Sequence, residues 1–186
     1  MGTADGETAA GRLHELYAHY RQHPVKSAAG HSYISSAPRP TAVAPEALVD
    51  LDVVDHIQAS LREVVDDTLA ANPDAGPLPA RVEGAYRWYV ENTAHAPEAV
   101  RQRRDTVIYR QGLEHAIAMG NVKVIRPHRC PQCRTLGLMW PRGAEAAVCT
   151  NRNCVDADGM SSTWTLARLA YEHVAGQKNH GRVSAT

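Results

Sequence analysis

All four cysteines of this 186-residue chain lie between Cys130 and Cys154, in the string CPQCRTLGLMWPRGAEAAVCTNRNC. They form two close pairs, Cys130 with Cys133 and Cys149 with Cys154, separated by fifteen residues. Between the pairs, TLGLMW and EAAVC read as two strands and PRG as the turn joining them, so a hairpin folds the second pair back over the first. Each pair offers two thiolates from one tight turn, and the hairpin brings the two turns to opposite sides of one tetrahedral ion. Four thiolates leave no open coordination position for catalysis, which favours structural Zn2+. Such a site supplies folding energy to a segment too small to fold alone. An iron–sulfur cluster takes the same ligand set, and a redox-active Cys130–Cys133 pair and four metal-free thiols are the other readings.

On Cys130, Pro131, Cys133, Cys149 and Cys154, the segment from about 122 to 160 resembles a zinc ribbon. It departs from the usual pattern twice: Arg134 stands where a small residue, often glycine, follows the first pair, and TNRN puts four residues between Cys149 and Cys154 instead of two. Zinc ribbons serve in transcription, replication, ribosomal and purely protein-binding settings. The resemblance therefore implies a metal-stapled fold and no activity.

Upstream the sequence is helical in character. Leu13, Leu16, Tyr17 and Tyr20 share one face of a first helix that Pro24 ends, and a Ser-, Ala-, Pro- and Gly-rich linker runs from 23 to 45. A second helix begins near Pro45 and is strongly amphipathic, with Val54, Ile57, Leu61, Val64, Val65 and Thr68 on one side. Asp52, Asp55, His56, Glu63, Asp66 and Asp67 lie on the other. A third helix sets Val82, Tyr86 and Tyr89 on one face with Trp88 off it. A fourth starts at Pro97, and its stripe blurs at Gly112, where a kink or break is expected. NVKVIRP reads as a short extended segment leading into the cysteines. After Cys154 a last helix is capped by Ser161 or Ser162, with Trp164, Ala167, Tyr171 and Val174 on one face and Leu166, Leu169 and Ala170 on another. Apolar residues on both faces place it between the hairpin and the helices.

The zero formal net charge conceals an asymmetry: residues 1–100 carry 7 basic and 14 acidic residues, and residues 101–186 carry 13 and 6. The basic excess is concentrated between Arg101 and Arg142, a footprint for phosphate or for an acidic partner. The plainer alternative pairs these arginines with the chain's own acidic half. Arg101, Arg104, Arg126, Arg129, Arg134 and Arg142 are the candidate nucleic-acid contacts, with Trp140 available for stacking unless it belongs to the hairpin core. Neither a signal peptide nor a membrane span is evident, so a cytoplasmic protein with reduced thiols is expected.

HELYAH at 14–19 misses the His-Glu-x-x-His metalloprotease signature by one residue. His14 and His19 diverge by about 140° around a helix and cannot share an ion. His128, two residues before Cys130, is a ligand substitute, a neighbour of the ligands or an exposed side chain. No phosphate-cradling loop, nucleophile motif or paired carboxylate in a catalytic setting is present, and no enzyme is indicated. The expected fold is mainly α. A helical bundle over 1–121 precedes a β-hairpin zinc ribbon over 122–160, a C-terminal helix over 161–176 and a flexible tail over 177–186. The expected role is non-catalytic and regulatory: binding of nucleic acid, DNA ahead of RNA, through the basic half, with the helical part serving dimerisation or docking. The alternative is a protein-interaction adaptor or assembly factor of a phage or GC-rich bacterium, in which zinc only staples the fold.

Overall fold

The computed structural model describes residues 11, 12, 14, 15, 18, 51–141 and 143–183. The apolar stripe expected at Leu13, Leu16, Tyr17 and Tyr20, the 23–45 linker and Arg142 lie outside the described residues. Four helices dominate: α1 (Leu51–Ala71), α2 (Ala85–Asn92), α3 (Glu98–Ala118) and α4 (Leu166–Val183). Three short strands, β1 (Leu138–Met139), β2 (Ala147–Cys149) and β3 (Thr163–Trp164), form an antiparallel sheet in that order.

The amphipathic stripe of α1 is realised at Ile57, Val64 and Thr68, which are buried, with Leu61 and Val65 half-buried beside them. α1 packs on α2 and α3. In α2 both Tyr86 and Tyr89 are 1% exposed, and Trp88, expected off their face, is buried as well. Its indole Nε1 donates to Gly76 O at 3.1 Å, so the turn after α1 covers the ring that helical phase alone would have left outside.

α3 runs unbroken through Gly112. Its apolar pattern is blurred because it serves two cores and not because it breaks. Val107 and Ile108 join the α1–α2 cluster, whereas Leu113 joins a second cluster with Ile125, Leu138, Ala147, Leu169 and three of the cysteines. A helix buried on two sides loses the single apolar face that the periodicity test looks for. Between the cores lies a polar layer. Gln111, 0% exposed, donates to Ser60 O and Glu63 Oε2 and accepts from the Tyr86 hydroxyl. Every polar group of that amide is thereby satisfied, as burial demands.

The chain then departs from expectation at two joints. Val122–Ile125, read as extended, is a 3₁₀ turn that seats Ile125 in the second core at 0% exposure. Thr163–Trp164, read as the opening of the last helix, is β3. The second cysteine turn claims those residues first: Cys149 N–H donates to Ser162 O, and Ser162 N–H donates to Cys154 O. Helix capping passes to Thr165, whose Oγ1 accepts from Arg168 N–H at 3.2 Å. α4 continues through the segment expected as a tail, to Val183. It buries Leu169, Ala170 and Val174, while Ala167 and Tyr171 are exposed, so the expected face of Leu166, Leu169 and Ala170 is covered and the one carrying Ala167, Tyr171 and Val174 is covered only in part. No helix among the described residues is long and apolar enough to cross a membrane.

Candidate metal centre

Cys130 and Cys133 sit on a turn closed by Arg134 N–H to Cys130 O and by Cys130 N–H to Thr135 O, both 2.9 Å. Cys149 ends β2 and pairs with Leu138 of β1, and Cys154 follows a turn closed by Cys154 N–H to Asn151 O. The hairpin thus folds the second pair over the first, as the spacing predicts. Its tightness depends on Gly137, at φ +121°, where an added Cβ would come within 2.6 Å of Thr150 Oγ1. Thr150 in turn donates its hydroxyl to Gly137 O and its N–H to the same oxygen.

All four Sγ atoms lie within 4.8 Å of one another. Cys130 to Cys154 and Cys133 to Cys149 are each 3.7 Å apart. No disulfide is present. A tetrahedral ion with Zn–S of about 2.3 Å sets its sulfurs roughly 3.8 Å apart, so the cluster has the dimensions of a single-ion site. Three of the thiols are buried and Cys133 is half-buried.

Electrostatics point the same way. Hydrogen bonds from Thr135 bring Cys133 down to about 6, whereas burial drives Cys149 up to about 12. Four neighbouring thiolates cannot all be sustained in such an enclosure without a cation, and a divalent ion would supply the missing charge. Thr135 Oγ1 lies 2.9 Å from Cys133 Sγ, and Ser162 Oγ lies 3.5 Å from Cys154 Sγ while donating to Gln132 Oε1. These hydroxyls orient the sulfurs from behind. His128 takes no part in the cluster. It is buried with Nδ1–H on Ile125 O, and its Nε2 faces the Tyr109 hydroxyl at 3.0 Å. Trp140 is half-buried against the second core.

The sequence-predicted basic residues divide. Along α3 they are matched by carboxylates: Arg101 by Glu98, Arg103 by both oxygens of Asp67, Arg104 by Asp105, and Arg110 by Glu63 and Glu114. Arg104 is also buried, with Nη1 on Thr93 Oγ1. Thr93 and Asp105 hold the Arg104 guanidinium inside, whereas Arg101 and Arg103 stay at the surface within their ion pairs. Around the cysteines, Arg126, Arg129 and Arg134 are exposed. Arg129 Nη1 donates to Arg134 O, and Arg134 shares Glu172 with Arg168.

No protein-family model matches the chain, and neither the curated proteins nor the solved structures contain a match.

Proposed function

We propose that the protein is a non-catalytic zinc protein whose metal-stapled C-terminal half binds nucleic acid through the exposed arginines beside the ion. The observation that carries the reading is the contrast between the carboxylate-matched arginines of α3 and the cluster at Arg126, Arg129 and Arg134, where among the described residues Glu172 is the one acid bonded. Zinc suits four sulfurs spread over no more than 4.8 Å, because a cluster of several irons with bridging sulfides holds its thiolates farther apart. Between 121 and 177 there are seven basic and four acidic residues. Four thiolates with one divalent ion subtract about two charges, so attraction for phosphate is local to this face and not a property of the whole half.

The test is binding of the zinc-loaded full chain to duplex and single-stranded DNA as salt rises. Three or four phosphate contacts give a log–log slope of about −3. Charge reversal at Arg126 and at Lys123, exposed three residues before it, should flatten the slope and weaken all sequences alike, since such contacts position and do not specify. Absence of binding to either form at about 50 mM salt overturns the reading.

A second reading has its own support. Leu136, Met139, Val155 and Met160, all in the cysteine-bearing segment, are exposed by 58%, 52%, 39% and 67%. Apolar side chains displayed on a small stapled sheet suit a protein adaptor. Replacing Leu136 and Met139 with Ser separates the two readings, because it spares the arginines.

A further inference from the structure

α3, α4 and the connection from the 3₁₀ turn to Cys130 enclose a groove of about 750 Å³. That is within the range of small-molecule sites, and no step of the metal chemistry uses it. Tyr109 and His173, from the two helices, line it as a parallel stack with centroids 3.8 Å apart and planes 8° from parallel. His128 holds the Tyr109 hydroxyl in place, and its own Nδ1–H is spent on Ile125 O. Arg129 and Arg134 also line the groove, with Glu172 opposite.

Three features of this arrangement go beyond what packing requires. Arg134 has φ +62°, a left-handed conformation that glycine adopts freely and that costs an arginine energy. Its side chain is 68% exposed and reaches Glu172, whose carboxylate already has Arg168 at 2.7 Å. Arg129 Nη1 donates to Arg134 O, so two guanidinium groups line the groove with one carboxylate, which leaves surplus positive charge beside a fixed aromatic surface. Guanidinium groups match phosphate in a two-point fashion, and flat heterocycles stack on tyrosine and histidine rings.

We propose that this groove binds a nucleoside phosphate, with Arg129 and Arg134 taking the phosphoryl group and the Tyr109–His173 stack meeting the heterocycle. Glu172 holds Arg134 and is displaced by the ligand's charge. His128 is a positioning residue that acts through Tyr109. The site does not require duplex binding: the ligand is either a free nucleotide or the phosphorylated end of a strand, and the chemistry is the same.

Calorimetric titration of the zinc-loaded full chain with adenosine 5′-monophosphate, adenosine, inorganic phosphate and short oligonucleotides tests this. The monophosphate should bind at least about tenfold more tightly than adenosine or inorganic phosphate, since both halves of the groove contribute. Arg134→Ala should weaken it about tenfold, and Glu172→Gln should strengthen it severalfold by removing the competing carboxylate. His173→Ala should weaken the monophosphate and leave inorganic phosphate unchanged, with zinc content and helicity confirming that the variant folds. A 5′-phosphorylated tetranucleotide that outbinds the monophosphate assigns a strand end; equal affinity assigns a free nucleotide. The proposal is overturned if the monophosphate binds no better than inorganic phosphate, or if Glu172→Gln leaves its affinity unchanged. Loss of Lys123 and Arg126 should not alter this binding, so failure of the duplex reading and failure of this one are separate results.

Discussion

Single residues set the character of the cysteine cluster. Cys133, held near 6 by Thr135, is largely ionised at neutral pH, while Cys149, near 12, is not. Metal binding therefore expels protons, and affinity for zinc should rise steadily from pH 5.5 to 7.5. Competition against a chromophoric chelator reads this directly; a flat profile would mean that the thiols are not the ligands. Cys133→Ala should abolish stoichiometric zinc, about one per chain by elemental analysis in the parent protein, and loosen the segment around the cysteines while most helicity remains. Gly137 is the other decisive position. At φ +121° with Thr150 Oγ1 2.6 Å from a would-be Cβ, Gly137→Ala strains the backbone and displaces the threonine. It should cost about 1–3 kcal/mol in chemical denaturation of the zinc-loaded protein. A loss below about half a kcal/mol would show that the hairpin relaxes freely.

Among the elements, α3 is the one on which both cores depend. Leu113, 0% exposed, ties it to β1, α4 and the cysteines, and Leu113→Ala should cost about 2–5 kcal/mol. Leu61 of α1, central to the stripe read from the sequence, is only half-buried, so Leu61→Ala should cost clearly less in the same measurement. α1 and α3 also meet through rings: His56 and His115 pack edge to face with centroids 5.2 Å apart. Burial, helped by nearby Arg110, lowers the His56 pKa, and burial likewise lowers that of His128. A base whose folded pKa is depressed favours folding while neutral. The stabilisation is present above the unfolded value of about 6.5 and is lost as pH falls through the folded value. Melting temperature should therefore drop between pH 7 and 5, and His56→Leu should make that drop shallower. An unchanged pH profile in the variant would exclude His56 as a contributor.

At the scale of the whole molecule, the cysteine cluster and the helices are mechanically joined. The second core is built from Leu113 of α3, Leu169 of α4, Leu138, Ala147, Ile125 and three cysteines, and α4 packs more extensively on α3 than any other two elements do on each other. Chelation should accordingly raise amide hydrogen exchange across 122–165 and α4 while α1 and α2, which pack in the other core, keep most of their protection. Uniform loss of protection would instead mean that the two cores unfold as one unit. Charge is organised at this scale too. Asp67, Glu63 and Glu114 hold the arginines of α3, and the surplus is displaced to the face beside the cysteine cluster.

Local features carried much of this in advance. The cysteine spacing, the alternating strands and the turn at PRG are short-range patterns, and they located the four sulfurs and the hairpin with no knowledge of packing. The amphipathic helix at 51–71 was legible for the same reason, since one face is buried and one is wet. What escaped the sequence depends on competition between distant groups. Thr163 and Trp164 have helical neighbours downstream, yet hydrogen bonds between Ser162 and both Cys149 and Cys154 pull the preceding chain into the sheet and hand the helix cap to Thr165. The pattern of α3 is blurred because two cores claim it, and periodicity assumes one. Arg104 looks like its exposed neighbours in sequence but is buried against Thr93 and Asp105. Tyr109, His128 and His173 form one groove although they come from three separate segments, and no local signal links them. Backbone periodicity and ligand spacing are properties of adjacent residues and can be read in one dimension. Which charges pair, which helix face is covered and which rings meet are decided only when the packed chain brings remote residues together.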